Sequence, residues 1–231
     1  MGLKARVITS AVRILLRILC SYDRRAFDAI PQKGPALIVL NHHMNFLDVP
    51  IVSSLLFPRM FHGLVKQETW DNPILRQLTV VWGGIPVDRS QPRIATFRTV
   101  HEILDQGSIL CIAPEGTRST DGVLKRGKSG PAAIAMRAKV TVYPVALYGT
   151  QQFWKNFKRL RRTAITIRIG TPFMIRETQE MGRKAARQEV SDQIMMQIAS
   201  LMPPEYRGAY SDEQAWRDDL LEFSERTEHE V

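Results

Sequence analysis

A chain of 231 residues, 44% of them hydrophobic and 24% charged, can bury one sizeable core, so wholesale disorder is excluded. The net charge of +9 is unevenly placed: residues 211–231 hold eight acids and two bases, which leaves +15 on residues 1–210. A basic body calls for a phosphate, a nucleic acid or an anionic membrane surface as partner.

Residues 2–21, GLKARVITSAVRILLRILCS, have the spacing of an amphipathic helix. Arg6, Arg13 and Arg17 fall within an arc of about 40°, and apolar side chains fill most of the rest. Arginines interrupt every apolar run before it reaches the ~18 residues needed to span a bilayer, and no cleavage site of the A-x-A kind follows. The segment reads as a helix lying in the membrane interface, arginines towards headgroups and leucines towards acyl chains. A core-packed helix with one solvated basic stripe is the other reading.

Ala36–Leu40 is an apolar run that predicts a buried strand. It leads into Asn41-His42-His43-Met44-Asn45-Phe46-Leu47-Asp48, then into a second apolar run with Pro50 near its start, so the spacing predicts strand, sharp turn and helix. If His43 and Asp48 pair, the chain must turn between them, because five steps on a continuous helix separate two residues by about 140°. Such a pair is a general base: the carboxylate fixes the imidazole tautomer and the other ring nitrogen takes a proton from a substrate hydroxyl. The plainer reading is an Asp48 that only caps a helix. A metal site finds no ligand spacing among the remaining histidines and no cysteine nearby.

Further on, strands are predicted at Met60–Val65, Ser108–Ile112, Val140–Leu147 and Ala164–Ile169. Helical spacing appears over Ile94–Leu104, Pro131–Ala138 and Glu177–Met202, with a helix and its approaches over Gln67–Leu78. Pro86 argues against a regular central strand at Gly83-Gly84-Ile85-Pro86-Val87-Asp88-Arg89. Ala113-Pro114-Glu115-Gly116-Thr117-Arg118-Ser119 stands at a strand's carboxyl end, where α/β sheets bind ligands. Gln151–Arg162 mixes Trp154 and Phe157 with Lys155, Lys158, Arg159, Arg161 and Arg162, either an amphipathic surface helix or a base-stacking nucleic-acid surface. Cys20 and Cys111 read as buried thiols of a reducing compartment. The expected fold class is α/β, a largely parallel central sheet flanked by helices, preceded by the N-terminal amphipathic membrane-interface helix. Its parts are a membrane-anchoring segment (1–28), the main domain (29–210) and an acidic C-terminal tail (211–231).

Gly122–Ser129, GVLKRGKS, matches the phosphate-loop pattern letter for letter, but polar turn formers precede it where a phosphate loop needs a hydrophobic strand, so a nucleotide triphosphatase is refused. No G-x-S-x-G elbow is present, so a covalent serine route has no support.

HHMNFLD, GGIPVDR, PEGTRS and VYPVAL, in that order, resemble the glycerolipid acyltransferase family, the lysophosphatidate acyltransferases above all, over roughly residues 37–147. The resemblance implies transfer of an acyl chain from acyl-CoA or acyl-carrier protein to lysophosphatidic acid, giving phosphatidic acid. Glycerol 3-phosphate and other lysolipids are the alternative acceptors, and a nucleic-acid-binding protein is the alternative class. It implies His43 as catalytic base and Asp48 as its orienting acid. Arg89, Glu115, Gly116, Thr117, Arg118 and Lys128 would serve the substrate phosphate. No metal or organic cofactor is implied, and no nucleic acid. The expected location is the cytoplasmic face of the cell membrane, peripheral and monotopic. One departure stands out: His42 occupies the place where many members have Asn.

Overall fold

The structure is a computed structural model that describes residues 2–42, 47–87, 93–176 and 184–224, except the side chains of 87 and 93–95. The elements are α1 (Leu3–Leu19), β1 (Cys20–Ser21), β2 (Ala36–Leu40), α2 (Asp48–Leu56), β3 (Phe61–Lys66), α3 (Pro73–Val81), β4 (Gly84–Val87), α4 (Arg93–Asp105) and β5 (Ile109–Ile112). They continue with α5 (Ser129–Ala138), β6 (Val142–Tyr148), α6 (Phe153–Lys158), β7 (Thr163–Ala164), β8 (Thr166–Ile169), β9 (Phe173–Ile175), α7 (Lys184–Ser200) and β10 (Leu221–Phe223).

Among the described residues, eight strands form one sheet in the order β10-β9-β6-β2-β5-β3-β4, with β8 also on β6. The run from β6 to β4 is parallel, while β8, β9 and β10 pair antiparallel. The expected α/β architecture with a largely parallel sheet is what the chain adopts.

The continuous apolar character of β2 follows from burial on both faces. Side chains alternate across a strand. Leu37 and Val39 therefore join Leu110, Ile112 and Val142 against α4, α5 and α7. Ala36, Ile38 and Leu40 join Ile109, Cys111 and Val145 against α1 and α2 on the other face. Pro86 is accommodated because β4 is an edge strand, paired only with β3. Pro144 lies inside the central β6, where the outer partner changes from β9 at Val142 to β8 at Val145. No regular ladder there needs its missing N–H, and its carbonyl accepts from the Gly170 amide at 2.9 Å.

Local chemistry sets the ends of elements. Asn72 caps α3, accepting from the amides of Ile74 and Leu75 at 3.0 and 3.1 Å, with Pro73 in the first turn. Gly83 turns into β4 at φ 65°, and a Cβ there would stand 2.6 Å from the Phe61 carbonyl oxygen, so only glycine fits.

The N-terminal helix forms as expected, but its faces are divided differently. Thr9 and Leu16 are buried, and Trp82 donates its indole N–H to the Thr9 hydroxyl at 3.2 Å. Arg13 turns inward, donating to the Ser54 carbonyl of α2 at 2.5 Å with its guanidinium over the Phe57 ring. Arg6 and Arg17 remain exposed, as do Leu3, Val7, Ile14, Leu15 and Ile18. Cys20, just past the helix, pairs with Thr163, and Arg162 donates to its carbonyl at 2.6 Å. Of the acidic segment 211–231, Leu221–Phe223 forms the edge strand on β9. No described helix is long and apolar enough to cross a membrane.

Candidate active site

Helices that leave β2 and β5 go to opposite faces of the sheet: α2 packs with Ala36, Ile38 and Leu40, α5 with Leu37 and Val39. The carboxyl ends of these two neighbouring parallel strands therefore border a crevice, which is where ligands bind in open α/β sheets. The first and third motifs of the sequence both arrive there.

Asn41 fixes the exit of β2. Its buried amide donates to the Leu147 carbonyl and accepts from the Leu147 amide, both at 2.8 Å. His42, the next residue, is held at both backbone ends by the loop after β5. Its N–H donates to Glu115 Oε1 at 2.8 Å, and its carbonyl accepts from the Ser119 amide at 2.9 Å. Its Nδ1 lies 3.0 Å from Asp48 Oδ2. A carboxylate oxygen can only accept, so Nδ1 carries the proton and the neutral ring keeps its lone pair on Nε2.

Asp48 sits in the first turn of α2, 2% exposed, one residue past the N-cap Leu47. The plain helix-cap reading of Asp48 fails on that geometry. Among the described residues Asp48 Oδ1, which is buried, has no hydrogen-bond partner. His43, expected from the spacing to be the base, lies outside the described residues, and so does Arg89.

Glu115 is 1% exposed, and its other oxygen, Oε2, accepts from the Lys125 amide at 3.0 Å. Burial pushes this carboxyl above its ordinary range, against the pull of the two backbone N–H groups. One carboxylate thus ties the end of β2, the loop after β5 and the approach to α5 together. Glu115 stands where the sequence placed it, but its oxygens are taken by backbone amides rather than presented to a ligand.

Gly116 follows at φ 64°. The Lys128 side chain passes over it closely enough that a Cβ there would lie 3.3 Å from Nζ. Lys128 also donates its amide to the Pro114 carbonyl at 2.9 Å, and it immediately precedes α5. Thr117 is partly buried, and Arg118 is exposed. Among the described residues neither Arg118 nor Lys128 forms an ion pair, whereas nearby Arg126 is taken by Asp192 at 2.8 Å.

The false phosphate loop is explained by packing. Gly122 is a turn residue at φ 83°. Gly127 lies against α7, where a Cβ would approach Ser191 Oγ to 2.5 Å. The preceding strand ends at Ile112, ten residues before Gly122. Sequence reasoning missed His42 as the partner of Asp48, and Asn41 as the anchor before it. The signal was present in a histidine doublet directly after a polar residue that closes an apolar strand.

The acyltransferase family profile matches residues 25–148, which contain the elements from β2 to β6. A chloroplastic 1-acyl-sn-glycerol-3-phosphate acyltransferase of Arabidopsis thaliana is 30% identical over 123 residues, 52% of this chain and 34% of that protein. The enzyme of that name from Cocos nucifera is 30% identical over 148 residues, covering 62% of this chain and 47% of its own length. The one from Bacillus subtilis is 30% identical over 131 residues, 56% of this chain and 63% of the relative. The chain thus spans about half the length, or less, of the first two curated relatives. In fold it is similar to the 1-acyl-sn-glycerophosphate acyltransferase of Thermotoga maritima, with a TM-score of 0.56 at 21% identity over 82% of this chain and 76% of that one. With the family profile covering more than half of its length, this chain belongs to the acyltransferase family.

Proposed function

We propose that the protein transfers a fatty acyl chain from an acyl thioester, acyl-CoA or acyl-carrier protein, to the free hydroxyl of 1-acylglycerol 3-phosphate, giving phosphatidic acid. The observation that carries this reading is the imidazole–carboxylate pair at the carboxyl end of β2, tied through Glu115 to a loop bearing unpaired cations.

The chemistry needs only a base, a bound alcohol and a bound thioester. A histidine of the doublet, oriented by Asp48, takes the proton of the acceptor hydroxyl. The oxygen attacks the thioester carbonyl, the carbon–sulfur bond breaks, and the imidazolium returns its proton to the leaving thiolate. The match to the family's His-x4-Asp pattern nominates His43 for this role, with Asp48 as its orienting acid. Arg118 and Lys128 hold the acceptor phosphate, Arg118 able to do so bidentately and Lys128 as a point charge; Arg89 and Thr117 belong to the same proposal. Glu115 contributes by bracing that loop. No step requires a cofactor.

Membrane contact comes from α1, whose Leu3, Val7, Ile14 and Ile18 form an exposed apolar arc flanked by Arg6 and Arg17. A lysophosphatidate keeps its acyl chain in the bilayer, so an interfacial helix sets the crevice at headgroup level. Two buried free thiols fit residence on the cytoplasmic face. A panel of acceptors with one labelled acyl-CoA tests the reading. 1-acylglycerol 3-phosphate is expected to be preferred over glycerol 3-phosphate and over lysolipids that lack a terminal phosphate. A preference for a neutral acceptor would refute it.

A further inference from the structure

We propose that the turn around α6 is a second membrane anchor, in which Trp154, Phe157 and Leu160 enter the interface of an anionic bilayer. It rests on the membrane reading of α1 above and adds a fixed orientation to it. A single helix lying in the interface leaves the molecule free to roll about the helix axis, and a second contact stops that roll.

The apolar tip is rooted in the core. Phe153 is buried and joins Leu16 and Cys20 in the cluster on the α1 face of the sheet. Trp154 and Phe157 stand outside it, both exposed. The three rings brace one another: Phe153 lies 5.1 Å from Trp154 and 5.9 Å from Phe157, and Trp154 meets Phe157 edge-on at 6.0 Å. Rings held in this way suit a membrane interface, where one side is apolar and the other wet. Leu160 follows the helix at φ 53° and is 96% exposed. A helix that ends in this left-handed conformation ordinarily takes glycine or asparagine there. Nothing inside the fold rewards a leucine at that place, whereas a lipid outside it does.

Charge agrees with this surface. Lys155, Lys158, Arg159 and Arg161 are exposed around the tip, and none of them forms an ion pair among the described residues. No acidic residue occurs in the sequence between Asp121 and Glu177. The acidic stretch packs instead on the other face of the sheet, where Trp216 and Leu220 join the α7 core and Asp219 accepts from Gln193 at 2.9 Å. An anionic lipid surface answers the cations and the apolar tip together. A nucleic acid would use the cations and the rings but not an exposed leucine.

The position of α6 supplies the geometry. Arg162 donates twice to the Cys20 carbonyl, at 2.6 and 3.1 Å, and Cys20 and Ser21 pair with Thr163 and Ala164, so α6 is tied to the end of α1. It also leaves the carboxyl end of β6, the parallel neighbour of β2, where Asn41 is bonded to Leu147 one residue before that strand ends. The second anchor therefore stands on the sheet edge that carries the crevice, and docking α1 and α6 together turns that edge to the lipid.

The test uses the full chain and vesicles of phosphatidylcholine with or without phosphatidylglycerol, and needs no turnover. Both native thiols are buried, so Leu160→Cys can carry an environment-sensitive dye, with Glu189→Cys on the exposed side of α7 as control. The dye on Leu160→Cys should brighten and shift to the blue with anionic vesicles, and the dye on Glu189→Cys should do neither. Lys155→Gln, Lys158→Gln, Arg159→Gln and Arg161→Gln combined should weaken partitioning at least about tenfold at low salt, an effect that salt abolishes. Trp154→Ser with Leu160→Ser should weaken it at every salt concentration. The charge variant should lose transfer to an acceptor held in vesicles and keep it on a short-chain, water-soluble one. A wild type that does not partition, a dye on Leu160→Cys that stays in water while the protein is bound, or partitioning unchanged in both sets of variants overturns the proposal. So does a single-stranded oligonucleotide that binds the wild type more tightly than the vesicles do at the same salt and is released by the charge variant. Should a variant melt early, the dye on Leu160→Cys decides alone. Two separate failures remain distinguishable from this one: serine variants of α1 that partition like wild type remove the α1 contact, and inactivity on every acceptor refutes the proposed reaction, while the dye still reports on α6.

Discussion

Glu115 shows how much one buried side chain can organise. Its two oxygens accept from two backbone amides far apart in the chain: that of His42 at the end of β2 and that of Lys125 on the approach to α5. Glu115→Ala leaves both amides without a partner and should cost ~1.5–3 kcal/mol of stability as well as activity. Glu115→Gln keeps one acceptor but turns an NH₂ group towards the other amide, so it should fall close behind. The pH dependence has a definite sign. The folded chain holds the Glu115 proton more tightly than the unfolded chain does. The stability it contributes is therefore full below the ordinary carboxylate value of about 4.3 and is lost as pH rises through the raised folded value. Urea midpoints over a pH series should show wild type losing ground to its own acid-side stability across that window, with the trend absent in Glu115→Gln.

Arg118 is exposed and unpaired among the described residues, so its removal should spare the fold. Arg118→Ala should raise the acceptor KM by roughly ten- to a hundredfold, the equivalent of ~1.5–3 kcal/mol for one charged hydrogen bond, and leave the donor KM nearly unchanged. Steady-state kinetics with each substrate varied in turn checks this; an unchanged acceptor KM would assign the phosphate to other cations.

At the level of elements, α1 separates two kinds of arginine that look alike in sequence. Helical spacing places Arg6, Arg13 and Arg17 on one stripe. Packing then turns Arg13 to the Ser54 carbonyl and the Phe57 ring and leaves the other two outside. Arg13→Gln should lower the melting temperature. Arg6→Gln with Arg17→Gln should instead weaken flotation with anionic vesicles, by ~1 kcal/mol per arginine, an effect that salt removes. Serine at Leu3, Val7, Ile14 and Ile18 should weaken flotation at any salt concentration. Flotation that survives both sets would place the membrane contact elsewhere, with exposed Trp154, Phe157 and Leu160 around α6 the next surface to test.

Cys20 reports whether α1 stays docked. Burial pushes its thiol up to about 11 even with the Arg162 guanidinium nearby, and pushes Cys111 higher still. Both thiols are free and buried. At pH 8 a maleimide should label neither in the native chain and both in urea, because the thiolate is the reactive form. Rapid labelling of Cys20 alone would show that α1 and β1 lift away from β7.

For the molecule as a whole, the sheet was legible because its strands carry the simplest signal. β2, β5 and β6 are apolar throughout, and both their faces are covered. Pro86 argued locally against a regular central strand, and β4 is an edge strand. Pro144 was not legible: its tolerance depends on where β6 changes partners, which is a fact of tertiary pairing. The acidic stretch gave no strand signal at Leu221–Phe223, since an edge strand half open to solvent has little apolar pattern to show. The site divides in the same way. Residue types and their order mark Asp48, Glu115, Arg118 and Lys128 from sequence alone. That Glu115 braces rather than binds, and that His42 reaches Asp48, depends on a turn whose geometry no spacing rule fixes.

The proposed reaction gives a base, a brace and two cations at one crevice a common task, acyl transfer onto a phosphorylated alcohol. The most direct measurement is therefore product analysis from purified protein given labelled acyl-CoA with 1-acylglycerol 3-phosphate and, in parallel, its dephosphorylated counterpart. Labelled phosphatidic acid should form in the first reaction, little product in the second, and neither with Asp48→Asn. Equal transfer to both acceptors, or phosphatidic acid formed undiminished by folded Asp48→Asn, would contradict it.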